Sequence, residues 1–200
     1  MAERPALVLA SASPRRRRML ERIGIPHRVE PATVDESPLP GEPPAAFARR
    51  AALDKARAVA GRNPGALVLA ADTVVDLEGA ILGKPGSPAE AAAMLEALSG
   101  KIHRVHTAMA LARDGAAHAV VDTAIVRFRP LDRERIAWYV ATGEPMDKAG
   151  AYAVQGIGGL FVESVEGSPH TVVGLPIHRL EPLFTALGTD LWRLLRPSRP

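Results

Sequence analysis

The chain has 200 residues, of which 47% are hydrophobic and 24% charged, and no cysteine. These values exclude a disordered tail, a membrane-embedded protein and any disulfide or thiolate chemistry, and they predict one soluble globular domain over residues 1–200. The net charge is only +3, although 21 of the 25 basic residues are Arg.

The chain alternates short apolar runs with segments of helical period. In chain order, the predicted elements are a strand at 7–10, a helix from Ser13-Pro14 to Gly24, a helix at 44–61, a strand at 66–71, a helix from Ser87 to Gly100, strands at 102–112 and 117–128, a helix at about 132–143, a strand at 160–165 and a helix after Pro176. Crossover connections mixed with a hairpin at Asp114-Gly115 predict an α/β domain with a mixed sheet. The tail at 196–200 is expected to be frayed.

The start of the first helix is a candidate anion site. Arg15 and Arg16 follow Ser11, Ser13 and the first-turn Pro14. Cations oppose the macrodipole there, so they are better explained if an anion occupies the free N–H groups of that turn. Alternatively, the arginines at 15–18 form a solvated basic face or a nucleic-acid patch.

Asp72 ends the second predicted strand, with Lys84 shortly after it. A carboxylate at the carboxyl end of a buried strand faces the crevice where open α/β sheets bind ligands. Asp72 could hold a divalent cation there or take a proton from water. Alternatively, it only starts a turn.

The glycine-rich stretch 143–156 contains Lys148 and Gln155. Such a segment can approach a ligand closely, and a buried amide at Gln155 offers both a donor and an acceptor to a base edge. It could equally be a connection with its polar residues in water.

Lysine is scarce, and its positions are informative. Lys55, Lys84 and Lys148 lie in or beside these segments or on an inner helix, and Lys101 is the fourth. A compact ammonium on a long stem suits contact with a phosphate oxygen. The histidines show no metal-ligand spacing, and His103 and His106 should face opposite sides of a strand.

Seven collinear segments together resemble the Maf family of nucleoside triphosphate pyrophosphatases. The segments are Leu9-Ala-Ser-Ala-Ser-Pro-Arg-Arg16, Ala71-Asp-Thr-Val-Val75, Ile81-Leu-Gly-Lys-Pro85, Leu98-Ser-Gly-Lys-Ile-His103, Asp147-Lys-Ala-Gly-Ala-Tyr152, Gln155-Gly156 and Val172-Val-Gly-Leu-Pro176. The match runs from residue 7 to about 187, which is the expected core. The chain departs from the family at Ser168-Pro-His-Thr171, where an aromatic residue and an Asn are more usual.

The resemblance implies a fold, a reaction and a cofactor. The fold is an elongated mixed-sheet α/β domain of inosine triphosphatase type, with two lobes around a deep cleft. The reaction is hydrolysis of a nucleoside triphosphate to a monophosphate and pyrophosphate, and the cofactor is a divalent cation, Mg²⁺ or Mn²⁺. The cytoplasm is the expected location.

The resemblance also assigns roles by position. Asp72 matches the catalytic acid–base residue, and Glu36 with Asp72 would hold the metal. The phosphate site corresponds to Ser11, Arg15, Arg16, Lys55 and Lys84, and the positions that distinguish a dTTP- and UTP-preferring subgroup correspond to Arg15, Thr73 and Gln155. Modified pyrimidine nucleotides are further expected substrates.

Two alternatives to this function stay open at this point. A related subgroup acts on 7-methyl-GTP, but it would carry a residue other than Gln at position 155. A non-catalytic nucleotide-binding regulator of cell division is the other. The expected partner is a nucleoside triphosphate, not nucleic acid or a membrane, and a homodimer is one of the oligomeric states that the sequence allows.

Overall fold

The structure is a computed structural model that describes residues 7–195, so the predicted frayed tail at 196–200 lies outside it. The strands are β1 (Leu7–Leu9), β2 (Arg28–Val29), β3 (Leu67–Leu77), β4 (Ala80–Leu82), β5 (Ile102–Arg113), β6 (Ala116–Phe128) and β7 (Val162–Glu166). The helices are α1 (Pro14–Arg22), α2 (Pro44–Ala60), α3 (Pro88–Leu98), α4 (Arg133–Ala141), α5 (Pro169–Val173) and α6 (Leu180–Ala186). Short 3₁₀ segments lie at Glu144–Asp147, Ala149–Ala151, Ile157–Phe161, Ile177–Arg179 and Leu191–Arg193.

All seven strands belong to one mixed sheet, in the order β2-β1-β3-β5-β6-β7, with β4 paired to β3. β1 runs parallel to both β2 and β3, and the other pairs are antiparallel. The predicted α/β class with a mixed sheet is therefore confirmed. The two-lobed shape around a cleft stays a prediction.

β3 is longer than predicted, and its edge is interrupted. The predicted strand ended at residue 71, but β3 continues to Leu77 because its whole length from 68 to 76 pairs with β5. On its other edge, residues 67–69 pair with β1 and residues 75–77 pair with β4. Within the described chain, residues 70–74 thus have no strand partner on that edge. We call this gap the β3 notch.

The two faces of the sheet bury different helices. On one face, α2 packs Phe47 and Ala51 against Ala70 and Val74 of β3. On the other face, Leu69 packs with α6 and the C-terminal segments. A third apolar cluster joins α3 and α4 to the C-terminal ends of β3 and β6 and to the N-terminal part of β5. Neighbouring side chains of β3 therefore point into different layers, since side chains alternate along a strand.

Local signals account for several element boundaries. Asp114 and Gly115 both have positive φ, +50° and +85°, as a two-residue hairpin turn requires. Ser87 Oγ accepts a hydrogen bond from the Glu90 amide at 3.2 Å and begins α3 as predicted. Ser13 occupies the N-cap position of α1, but its side chain makes no capping bond. Among residues 7–195, no helix combines the length and apolar character needed to cross a bilayer.

Candidate active site

A cavity of about 670 Å³ opens at the β3 notch. Every site residue predicted from the sequence lines it: Ser11, Arg15, Arg16, Glu36, Lys55, Asp72, Thr73, Lys84 and Gln155. The notch explains this convergence, because side chains from both faces of β3 can reach one opening there. Asp72 itself lies in the middle of a continuous strand, so both its predicted place at a strand end and the alternative that it starts a turn are wrong.

Arg16 is held by three acceptors on one side of the cavity. Its Nε donates to the Gly174 carbonyl at 2.8 Å, Nη1 to Ser11 Oγ at 3.1 Å and Nη2 to Thr73 Oγ1 at 3.0 Å. A guanidinium has five N–H donors, so two remain, one on each terminal nitrogen. Burial lowers the pKa of Arg16 from its ordinary value, but an Arg side chain stays charged in proteins. Arg16 therefore offers a fixed, charged pair of donors.

Ser11 is prepared to donate a hydrogen bond. Its Oγ already accepts bonds from the Ser13 amide at 3.2 Å and from Arg16 at 3.1 Å. Because these two bonds use both hydroxyl lone pairs, the Ser11 proton is left for a further acceptor. The first turn of α1 beside it contains no acidic residue and no side-chain cap, so its free amides also favour an anion.

Arg15 reaches across the cavity to the other wall. Its Nη1 lies 3.4 Å from Asp147 Oδ2, and Asp147 also pairs with Lys148. The ion pair between Arg15 and Asp147 is partly exposed, so it contributes little to stability. Lys84 is exposed at the cavity edge. The cavity thus has five cationic side chains and three carboxylates in its lining.

A buried ammonium separates the two predicted metal-binding carboxylates. Lys55 Nζ, on α2, donates to Asp72 Oδ1 at 2.7 Å and to Glu36 Oε2 at 2.6 Å. The Lys55 and Asp72 side chains are only 9% and 11% exposed, whereas Glu36 is 51% exposed. In the described part of the chain, Asp72 Oδ2 and Glu36 Oε1 accept no protein hydrogen bond, so both oxygens are available to water or a cation.

An ion pair between α2 and the loop before it fixes the loop that carries Glu36. Arg50 donates two bonds to the Glu42 carboxylate, at 2.8 and 2.7 Å, and one to the Ser37 carbonyl at 2.9 Å. The hydrogen bonds from Arg50 lower the pKa of Glu42 to about 2. The same guanidinium lies 5.5 Å from the centre of the Phe47 ring, which lines the cavity. This clamp places Glu36 beside Lys55.

Gln155 lies on a loop with its own anchor. The Glu144 carboxylate accepts bonds from the amides of Ile157 and Gly158, both at 3.1 Å. The approach is so close that a Cβ at position 156 would lie 1.6 Å from Glu144 Oε1, so any larger residue there would displace this carboxylate from the two amides. Gln155 is exposed rather than buried as predicted. Within residues 7–195 no hydrogen bond uses its amide, which leaves it able to pair with a base.

Three supporting residues were not identified from the sequence. Arg50 and Glu144 are ordinary charged residues in the sequence, and only the fold shows what they hold. Thr107 lies opposite Thr73 across the β3–β5 pair, with their hydroxyl oxygens 3.0 Å apart. To identify Thr107 from the sequence, one would have needed to know how β3 and β5 are aligned. Lys148 was noticed because lysine is scarce in this chain, and it does line the cavity.

Comparison with known proteins identifies close relatives. The protein named dTTP/UTP pyrophosphatase from Symbiobacterium thermophilum is 50% identical over 186 residues, covering 93% of this chain and 96% of the relative. An Anaeromyxobacter protein of the same name is 54% identical over 191 residues, covering 92% and 91%. A solved HAM1 protein structure from Coxiella burnetii matches with a TM-score of 0.46 and 21% identity over 62% of this chain and 73% of that one, and at that score it supports no inference.

The family model described as Maf-like protein matches residues 6–187, which includes the whole cavity lining. The first turn of α1, the two carboxylates around Lys55 and the Gln155 loop all fall within the matched range. The chain therefore belongs to the Maf family.

Proposed function

We propose that the protein hydrolyses dTTP and UTP to the monophosphate and pyrophosphate. The observation that carries this proposal is the cavity itself, in which an available carboxylate oxygen of Asp72 lies in the same opening as the donors of Ser11 and Arg16. Relatives that are about half identical over nearly the whole chain are named for this reaction.

The donor set suits a hard divalent cation. Asp72 and Glu36 each have an available carboxylate oxygen, and Lys55 holds the two groups side by side. No cluster of three or more His, Cys, Asp or Glu side chains was found among residues 7–195. Two carboxylates match Mg²⁺, which proteins commonly bind through one or two carboxylates together with substrate phosphates. Bound there, Mg²⁺ or Mn²⁺ would neutralise charge on the triphosphate.

Asp72 is the proposed general base. Its free Oδ2 accepts a proton from a water molecule whose oxygen attacks the α-phosphorus of the nucleotide. The new bond joins this oxygen to the α-phosphorus, and the bond between the α-phosphorus and the bridging oxygen to the β-phosphate breaks. Pyrophosphate leaves with the electron pair. A positioned base contributes about 10²- to 10⁴-fold to such a step.

The cationic wall binds the triphosphate and stabilises the leaving group. Arg16 offers its two remaining N–H donors, and Ser11 offers its hydroxyl proton. Arg15 and Lys84 reach the cavity from its more exposed rim. Charge-assisted bonds from fixed donors are strongest where negative charge develops, which here is on the departing pyrophosphate. Lys55 contributes by keeping Asp72 oriented toward the cavity.

Gln155 is the proposed reader of the base. Its amide has both a donor and an acceptor, which match the carbonyl and imide N–H edge that uracil and thymine share. Cytosine presents the reverse pattern at this edge, an amino donor at position 4 beside an unprotonated N3 acceptor, so neither bond forms when the Gln155 amide is oriented for uracil or thymine. A site that hydrogen-bonds its substrate discriminates well against analogues that leave its polar groups unpaired.

The function is tested by measuring pyrophosphate release from dTTP, UTP, CTP, ATP, GTP and 7-methyl-GTP, with and without Mg²⁺. We expect dTTP and UTP to have the highest kcat/KM, and activity to require the cation. Replacement Gln155→Leu should lower kcat/KM for dTTP and UTP while changing kcat/KM for ATP little. If 7-methyl-GTP were the best substrate, or if nucleotides bound without pyrophosphate release, the proposal would be wrong.

A further inference from the structure

Thr107 is a buried hydroxyl next to the site that no step of the proposed reaction uses. It lies on β5, directly opposite Thr73 of β3, and its side chain is fully buried. It does not line the cavity, so it does not touch a bound nucleotide. Its two hydrogen-bond partners are the hydroxyl of Thr73 and the backbone carbonyl of Thr171, which lies in the middle of α5.

The direction of these hydrogen bonds follows from counting protons. Thr107 Oγ1 lies 2.7 Å from the Thr171 carbonyl oxygen, which can only accept. A hydroxyl has one proton, so Thr107 uses its only donor in the hydrogen bond to the Thr171 carbonyl. In the 3.0 Å contact between the two threonine hydroxyls, Thr73 must then be the donor. Thr73 therefore has no proton left for any other partner.

This direction determines what Thr73 presents to Arg16. Arg16 Nη2 donates to Thr73 Oγ1 at 3.0 Å, and that bond needs a lone pair rather than a proton on the oxygen. With the Thr73 proton directed at Thr107, the oxygen is a fixed acceptor. The Gly174 carbonyl and Ser11 Oγ fix the other two nitrogens of the guanidinium. All three nitrogens of Arg16 are thereby oriented.

We propose that Thr107 is a positioning residue for phosphate binding, resting on the proposed triphosphate substrate. By accepting the hydrogen bond that the Thr73 hydroxyl donates, Thr107 keeps Thr73 an acceptor toward Arg16 and holds the two free donors of Arg16 in the direction that a phosphate group needs. Thr73 thus contributes to substrate binding through Arg16, not by donating to the nucleotide. Without Thr107, the Thr73 proton can turn toward Arg16 and oppose its N–H groups.

The test compares Thr107→Val, which keeps the shape but removes the hydroxyl, with Thr107→Ser, which keeps the hydroxyl. Inorganic tripolyphosphate is the binding probe, measured by calorimetry, and KM and kcat for dTTP are measured alongside. We expect Thr107→Val to raise both the Kd for tripolyphosphate and the KM for dTTP about tenfold, which corresponds to about 1.4 kcal/mol, with kcat changed less than about threefold. Thr107→Ser should restore both constants.

A double-mutant cycle shows whether Thr107 acts through Thr73. Thr73→Val already removes the acceptor for Arg16, so adding Thr107→Val should weaken tripolyphosphate binding no further. Additive effects would overturn the inference. Thr123→Val is a control for loss of a strand hydroxyl outside this chain of bonds, because the Thr123 hydroxyl, on the neighbouring β6, contacts His106 instead. It should leave both constants unchanged.

The outcomes separate this inference from the proposed function. Wild-type protein that binds tripolyphosphate with the expected dependence on Thr107 but hydrolyses no nucleotide would support the inference and refute the function. Wild-type protein that hydrolyses dTTP while Thr107→Val leaves the KM and the Kd unchanged would refute the inference alone. Loss of thermal stability in Thr107→Val without a change in either constant would show a purely structural role and would also refute it.

Discussion

Replacement Asp72→Asn separates chemistry from binding. The amide keeps the shape of the side chain and an oxygen that can accept from Lys55, but it cannot take a proton from water. The Lys55 ammonium keeps one carboxylate partner after this change, because Glu36 still accepts a hydrogen bond from it at 2.6 Å. We therefore expect a folded protein that binds nucleotide and has lost most of its turnover.

The magnitudes of the two effects differ greatly. A hydrogen bond to a charged group is worth about 1.5–3 kcal/mol and a neutral one about 0.5–1.5 kcal/mol, so the exchange should cost about 1 kcal/mol of stability. For a chain of this size that corresponds to a fall in Tm of about 2–4 °C. Loss of a general base should reduce kcat by about 10²- to 10⁴-fold.

Pyrophosphate release at saturating dTTP measures kcat, and binding of a non-hydrolysable dTTP analogue measures affinity. Asp76→Asn is the matched control, because Asp76 is a buried carboxylate on the same face of the same strand and does not line the cavity. It should retain kcat within about threefold. A kcat for Asp72→Asn as high as that of the control would refute Asp72 as the base.

Three further changes test other parts of the molecule. Glu144→Gln weakens the anchor of the Gln155 loop and should reduce the kcat/KM preference for dTTP over CTP about tenfold; an unchanged ratio would contradict the anchor. Lys84→Met should raise the KM for dTTP about tenfold with a smaller change in kcat, and an unchanged KM would remove Lys84 from the phosphate site. Burial lowers the pKa of His103 from 6.5 to about 4. As the pH falls below 6.5, His103 becomes protonated in the unfolded chain while it stays neutral in the folded protein. The free energy of unfolding should therefore decrease, by about 3 kcal/mol near pH 4. His103→Phe should flatten this dependence in denaturant titrations at several pH values, and an equally steep variant would contradict it.

The sequence predicted correctly those features of the fold that depend on residues close together in the chain. The turn at Asp114-Gly115 and the cap at Ser87 depend on residues within four positions of each other, and both are confirmed. The predicted opposite orientation of two histidines is also found: His103 bonds to Tyr152, whereas His106 bonds to Asp76. The short strands β2 and β4 and the five-residue α5 were missed, because so few residues give no periodicity.

The site shows the same division between local and distant information. Its members were identified because their motifs are continuous in sequence and resemble a known family. The position of Asp72 within its strand was predicted wrongly, because strand length depends on pairing with β5, more than thirty residues away. Likewise, Arg50 and Thr107 support the site through contacts that only the fold brings about.

The β3 notch leaves several backbone N–H and C=O groups of a sheet without strand partners, which is ordinarily a risk for aggregation. Here β1 and β4 flank the gap, and only residues 70–74 are left open. A strand from another molecule would have to enter between these two flanking strands to pair with so short an edge. The protein can therefore keep an open strand edge at its cavity without offering a template for intermolecular sheet growth.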